Sequence, residues 1–296
     1  MKTIIVLTDF SKAARNAANA SVDIALQLRA DILLLNSYLI PFAVFSMEGE
    51  GRTMVDTSLI ASTSESGLKK EARRLRRLIN TRNVVEQKPN ITIHSSIDSI
   101  GHTLKNLNSS IQIEMLVIGV HQTSLPLIFS AIDFEPLLKQ IHYPMLIMPR
   151  NHKGFLIQDF VFATDLKNED LIALRLMRSY AKAFGFRIHV CHVSKPVFVP
   201  DFIEEDKVQK FGHHIALLGE GNITFTNLKG RNVVKTLNEF TRSIQADMIG
   251  ITHNPHSFGW KLLNDTHTSK LIRHQKLPMV IFPQNFLNDL SKPMPI

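Results

Sequence analysis

With 296 residues, 44% of them hydrophobic, the chain is long enough for one large or two ordinary domains with real cores. It offers no run of about 18 uncharged apolar residues for a membrane-spanning helix, and its single cysteine, Cys191, excludes an internal disulfide framework and suits a reducing cytoplasm. The formal net charge of +8 favours anionic partners, but it is spread along the chain apart from one knot between Lys69 and Arg77, which on a helix reads as a solvated face.

Met1-Lys2 leads straight into an apolar run, Ile4 to Leu7, that stops at Asp9, so no secretory signal peptide is expected. Asn16 to Leu28 carries a narrow stripe of Ala17, Ala20, Ile24, Ala25 and Leu28, small enough to pack closely on a sheet, with Ser11 available as a cap. A second apolar run, Ile32 to Leu35, completes a β-α-β unit with a carboxylate, Asp9, at the mouth of its first strand, where ligands of parallel sheets collect. Residues 38–66 hold Pro41, Gly49, Gly51 and many Ser and Thr, and read as a long loop. Gly67 to Asn80 reads as a basic helix, Asn90 to His94 as a strand and Ile97 to Leu107 as a short helix. Glu114 to Gly119 reads as a buried strand, Phe134 to His142 as a helix, and Tyr143 to Met148 as a fifth strand.

From Phe155 the sequence starts over. The Ala163-Thr164-Asp165 turn echoes Leu7-Thr8-Asp9, and Cys191-His192-Val193-Ser194 echoes Leu35-Asn36-Ser37. Asn222 to Phe225 echoes Asn90 to Ile93, and Leu277 to Ile281 echoes Tyr143 to Ile147. Asp9 and Asp165 are 156 residues apart, as are Asn36 and His192, whereas Asn90 and Asn222 are 132 apart. The copies are therefore collinear, the first carrying its extra length in the 38–66 loop. The period is far too long for a solenoid. Two homologous α/β domains are expected, residues 1–150 and 155–283, followed by a C-terminal tail at 284–296.

On the segments Val6-Leu7-Thr8-Asp9-Phe10-Ser11, Glu114 to Gly119 and His142 to Ile147, with their counterparts at Ala163-Thr164-Asp165, Ala246 to Ile249 and Leu277 to Val280, the chain resembles the universal stress protein family in its tandem form. The resemblance implies that each domain is a doubly wound, five-stranded parallel sheet of order 3-2-1-4-5 with helices on both faces. It also implies a nucleotide, ATP, as the candidate cofactor at the mouths of strands one and four. There the acid after strand one contacts the adenine or ribose side, and a G-x2-G-x9-G-[ST] pattern wraps the phosphates. The physics of that pattern is that glycines let backbone N–H groups approach an anion at a helix N-terminus.

The residues that would build this site are Asp9, Ser37, Gly119, Gln122 and Ser130 in the first copy, and Asp165, Val193 and Thr266 in the second. Both copies depart from the glycine pattern. Gln122 replaces the second glycine, Ala131 and Ile132 stand where Gly-[ST] should be, and Ser130 is the nearest hydroxyl. In the second copy Thr252, Pro255 and Asp265 fall on the three glycines, while Gly250 falls inside the strand. Pro255 removes a donor and Asp265 sets a negative charge against phosphate. Read without the family, Asp9 and Asp165 order their turns, His121 and His253 are loop residues, and His189 and His192 point to opposite faces of a strand, which argues against zinc. No arrangement of hydroxyl, histidine and carboxylate marks a nucleophile. The expectation is a cytoplasmic regulatory module with eroded ATP motifs and no catalytic residue. The alternative is an ATP-binding, weakly hydrolysing protein that uses the first-copy site.

The fifth strands, 144–149 and 278–283, would be exposed apolar edges in a 3-2-1-4-5 order, and such edges invite pairing. They are expected to join the two halves as an internal pseudo-dimer. A further homodimer and a regulatory protein partner complete the expected contacts, with no membrane. Nucleic acid is disfavoured because the basic helix has no aromatic residue to stack on bases.

Overall fold

The computed structural model describes residues 2–38, 57–82, 87–120, 134–152, 155–196, 202–218, 222–253 and 277–292. In the first half β1 (Lys2–Leu7), β2 (Asp31–Ser37), β3 (Ile91–Ser96), β4 (Gln112–Val120) and β5 (Met145–Pro149) alternate with α1 (Lys12–Leu28), α2 (Thr57–Thr81), α3 (Ile100–Asn108) and α4 (Phe134–Leu138). The second half holds β6 (Asp159–Ala163), β7 (Arg187–Ser194), β8 (Ile223–Lys229), β9 (Met248–His253) and β10 (Met279–Pro283), with α5 (Asn168–Phe184), α6 (Phe202–Leu218), α7 (Val233–Ser243) and α8 (Gln284–Ser291).

Alternation along the strands decides the layers. Ile4 and Val6 of β1 face one core with α1, α2 and α5, and Ile5 and Leu7 face the other with α3 and α7. Strands covered on both faces must be apolar throughout, which is why β1 and β2 read as unbroken hydrophobic runs. α1 starts at Ser11, whose hydroxyl accepts from the Ala14 N–H, and ends at Arg29, in the left-handed conformation at φ 51°. Its buried face is largely alanine, so its backbone can lie close to the sheet.

All ten strands form one sheet of order β3-β2-β1-β4-β5-β10-β9-β6-β7-β8. Every neighbouring pair is parallel except β5 with β10, which run antiparallel with Leu146 opposite Val280. The single antiparallel seam follows from the duplication, since two like half-sheets joined through the same strand are related by a two-fold rotation. Around the seam Phe160, Phe162 and Phe282 pack in sequence, with ring centroids 6.4 and 6.2 Å apart. The Tyr180 hydroxyl of α5 donates to Glu114 of β4 at 3.0 Å, so a polar tie crosses between the halves.

Several expected boundaries move. The loop expected over 38–66 gives way at Thr57 to α2, a helix of 25 residues. Its Ser- and Thr-rich start hides a tertiary role, because Ser64 is buried and bonds strands β2 and β3. Residues 39–56 of that expected loop lie outside the described residues. Among the short helices, the start moves from Ile97 to Ile100 in α3, where Ser99 is the cap. The helix expected to reach His142 ends at Leu138. The expected tail after residue 283 is α8 as far as Ser291, and its Leu287 is fully buried. Asn285 donates to the Lys139 carbonyl at 2.7 Å, so α8 reaches back to the first half.

Candidate functional site

The mouths of β1 and β6 are built on one plan. Thr8 hydroxyl accepts from the Phe10 N–H at 3.0 Å, and Thr164 hydroxyl accepts from the Leu166 N–H at 2.9 Å. Phe10 and Leu166 take φ 63° and 62°, a left-handed conformation uncommon for such side chains, and the repeated turn imposes it on both. Behind each turn a side chain from the next strand holds the Thr carbonyl: Asn36 Nδ2 donates to Thr8 at 2.6 Å, and His192 Nδ1 to Thr164 at 2.8 Å. A carbonyl only accepts, so the His192 proton sits on Nδ1, leaving Nε2 3.8 Å from Glu204 of α6.

In the first mouth Asp9 Oδ1 accepts from the Ser11 N–H at 2.9 Å, and Ser37 hydroxyl donates to the Asp98 carbonyl at 2.6 Å. Asp9 therefore orders the turn that launches α1, and Ser37 ties the end of β2 to the loop after β3. Asn36 Oδ1 accepts from Ser64 of α2 at 2.7 Å, and Ser64 also meets Ser95 at 2.7 Å. α2 closes over this mouth at Gly67, where an added Cβ would stand 2.6 Å from the Phe10 ring. Gly119 has a similar explanation. A Cβ there would lie 2.2 Å from the Ala13 carbonyl oxygen, because the first turn of α1 rests on the β4 backbone. Helix packing by itself requires this glycine.

The second mouth exchanges Gly119 and Ala14, whose backbone nitrogen would lie 2.6 Å from the same added Cβ. Register places Thr252 of β9 at the position of Gly119, and Asp170 of α5 stands where α1 has Ala14. The Asp170 carboxylate is fully buried. It accepts from Thr164 hydroxyl at 2.6 Å, Thr252 hydroxyl at 2.5 Å, the Asp165 N–H at 3.0 Å and the Lys167 N–H at 3.2 Å. Burial raises its pKa above the ordinary carboxylate range, although the bonds from Thr164, Thr252 and Lys167 oppose the rise. An intramolecular carboxylate thus occupies the helix N-terminus where an external anion would otherwise be favoured. Sequence reasoning missed Asp170. The available signal was an acid three residues after the turn residue Lys167, as in a capping box.

The structure brings Asp9, Ser37 and Gly119 to one mouth, and Asp165 and Val193 to the other. Gln122, Ser130, Thr266 and His121 lie outside the described residues. His189 and His192 are not brought together. His189 Nε2 meets Asp159 at 2.7 Å beside Arg187, at the opposite end of β6 from its mouth. Burial tends to raise the Asp159 pKa, but hydrogen bonds from Arg187 and His189 and their charges hold it below the usual range. Burial pushes the Cys191 thiol up to about 12. Among the described residues no group of three or more His, Cys, Asp or Glu side chains is placed to hold a metal ion. Nor is any described helix long and apolar enough to cross a membrane.

Matched as a whole, the chain is similar to a universal stress protein from Archaeoglobus fulgidus DSM 4304, with TM-score 0.69 and 14% identity over 95% of this chain and 97% of the other. Its fold is the universal stress protein fold, in tandem. A functionally unknown protein from Pseudomonas aeruginosa PAO1 is also similar, with TM-score 0.60 and 13% identity over 97% of this chain and 95% of the other. No protein-family model matches the sequence, and no curated protein matches it. Within the universal stress protein fold, the two mouths described above are the ends of strands one and four of each half. The halves differ there by the Ala14–Gly119 and Asp170–Thr252 pairs.

Proposed function

We propose that this chain is a cytoplasmic tandem universal stress protein that acts as a regulatory module by binding partners, with no reaction of its own. The observation that carries this reading is the buried Asp170 carboxylate, which fills the second mouth and would repel a phosphate there. The local bonds of Asp9 and Ser37 add support, since both side chains already serve the fold. Isothermal titration with ATP and magnesium tests the reading, with no saturable heat expected. Micromolar binding at either mouth would overturn it.

A second reading places a nucleotide at the first mouth. It is favoured by the absence there of an Asp170 counterpart, since Ala14 and Gly119 leave Asp9 and the half-exposed Phe10 at the rim, with Ser37 buried. In this version Gln122 and Ser130 follow on the phosphate side. Asp9→Ala is the test substitution, because Gly119→Ala would disturb α1 directly. Nucleotide binding unchanged in Asp9→Ala would rule this arrangement out.

A further inference from the structure

The outer strand of the first half carries a surface that the mouths do not explain. β3 ends the sheet order on this side. Between it and α2 runs a groove of about 630 Å³ lined by Lys69, Ala72, Arg73, Arg76, Ile91, Thr92 and Ile93. The helix residues recur at the spacing that puts them on one face. The strand residues are three in succession, and side chains of a strand alternate between its faces, so the groove opens on the backbone edge itself. The Ile32 N–H donates to the Asn90 carbonyl at 2.9 Å and the Tyr38 N–H to the Ser96 carbonyl at 3.0 Å, which turns the even-numbered carbonyls of this segment toward β2. Ile91 and Ile93 therefore present their backbone groups outward. Arg76 Nη2 donates to the Ile91 carbonyl at 2.7 Å, at the floor of the groove.

The rim has one sign of charge. Lys69 and Arg73 are exposed, and among the described residues the carboxylate paired with this rim is the exposed Glu65, at 2.6 Å from Lys69. Glu71, the other acid of α2, is turned inward and held by Arg74. We propose that this groove docks an extended acidic segment of a partner protein, which adds as a strand beside Ile93 with its carboxylates against Lys69, Arg73 and Arg76. Strand addition supplies main-chain hydrogen bonds, and the cationic rim selects the sequence. A second copy of this chain fits poorly through the same edge, because like charges would face each other. Nucleic acid fits less well, because no aromatic side chain lines the groove and a strand edge offers hydrogen bonds suited to a peptide backbone. The bland role for such cations is to guard the edge against strand pairing, and the experiment separates guarding from docking.

Fluorescence anisotropy with a labelled octapeptide of alternating glutamate and valine is the test, run on the full chain at low salt. Saturable binding is expected. It should weaken about tenfold or more in the double variant Lys69→Glu/Arg73→Glu, the size expected for two reversed rim charges. A control pair away from the groove, Lys207→Glu/Lys235→Glu, should leave it unchanged. The same peptide with every backbone nitrogen methylated keeps its charge but has no N–H group on either edge to pair as a strand, and it should also bind at least about tenfold more weakly. This arm uses the wild-type chain and decides the matter even if the double variant does not fold. No binding, equal binding of the methylated peptide, or tighter binding of a single-stranded oligonucleotide that competes for the groove would each overturn the proposal.

Discussion

Replacing Asp170 tests most directly how the second mouth is built. Truncation to alanine strands four donors, the hydroxyls of Thr164 and Thr252 and the N–H groups of Asp165 and Lys167. At about 1 kcal/mol for each lost bond, partly offset by no longer burying a carboxylate, Asp170→Ala should cost about 3 kcal/mol. Asp170→Asn should cost less, about 1 kcal/mol, because its oxygen can serve the Thr164 side while its amide donates to the Thr252 hydroxyl. The pH dependence follows from the raised pKa. An acid whose pKa is higher folded than unfolded stabilises the fold fully below its unfolded value. That contribution is lost as pH rises through the folded value. Urea unfolding of wild type and Asp170→Asn from pH 4 to 8 should therefore show the variant gaining on wild type as pH rises, with other groups cancelling in the difference. A difference independent of pH, or an Asp170→Ala variant within about 0.5 kcal/mol of wild type, would refute the account.

Four further outcomes rest on other parts of the fold. Gly119→Ala should destabilise by about 2 kcal/mol or more, measured by urea unfolding, because its Cβ would meet helix backbone that cannot swing aside. Gly185→Ala, at φ 76° in open space, should cost only about 1 kcal/mol by the same measurement, as Arg29 already occupies the matching cap of α1. Native Cys191 should resist a thiol reagent at pH 8 and react on unfolding in urea, since its thiol is buried and its pKa is pushed up to about 12. Phe162→Ala should cost about 3–5 kcal/mol in thermal or urea unfolding, because Phe162 is fully buried between Phe160 and Phe282.

The β-α-β pattern of each half was legible because strands buried on both faces must be apolar, and because the turn at Asp9 recurs at Asp165. The register of the copies was legible for the same reason. The start of α2 was not, since Ser and Thr ordinarily mark loops. Only the position of Ser64 against Asn36 and Ser95 gives its hydroxyl a buried partner. Gly119 was legible as a site of close approach, but the sequence could not say what approaches it. The family pattern suggested phosphate, whereas the neighbour in the structure is the Ala13 carbonyl. The capping-box position of Asp170 was a local signal, but its bond to Thr252, 82 residues away, had no local mark.

By itself, then, the sequence determined the α/β class and the duplication, because hydrophobic periodicity and turn chemistry are local and were written twice, whereas the strand order within each half came from the family resemblance. The tertiary structure decided what the two mouths hold. Whether a carboxylate is a ligand contact, a turn former or a buried plug depends on which donors converge on it. At the second mouth those donors come from the turn at 164–167 and from β9, and Thr252 of β9 reaches the Asp170 carboxylate of α5 only once the sheet has formed.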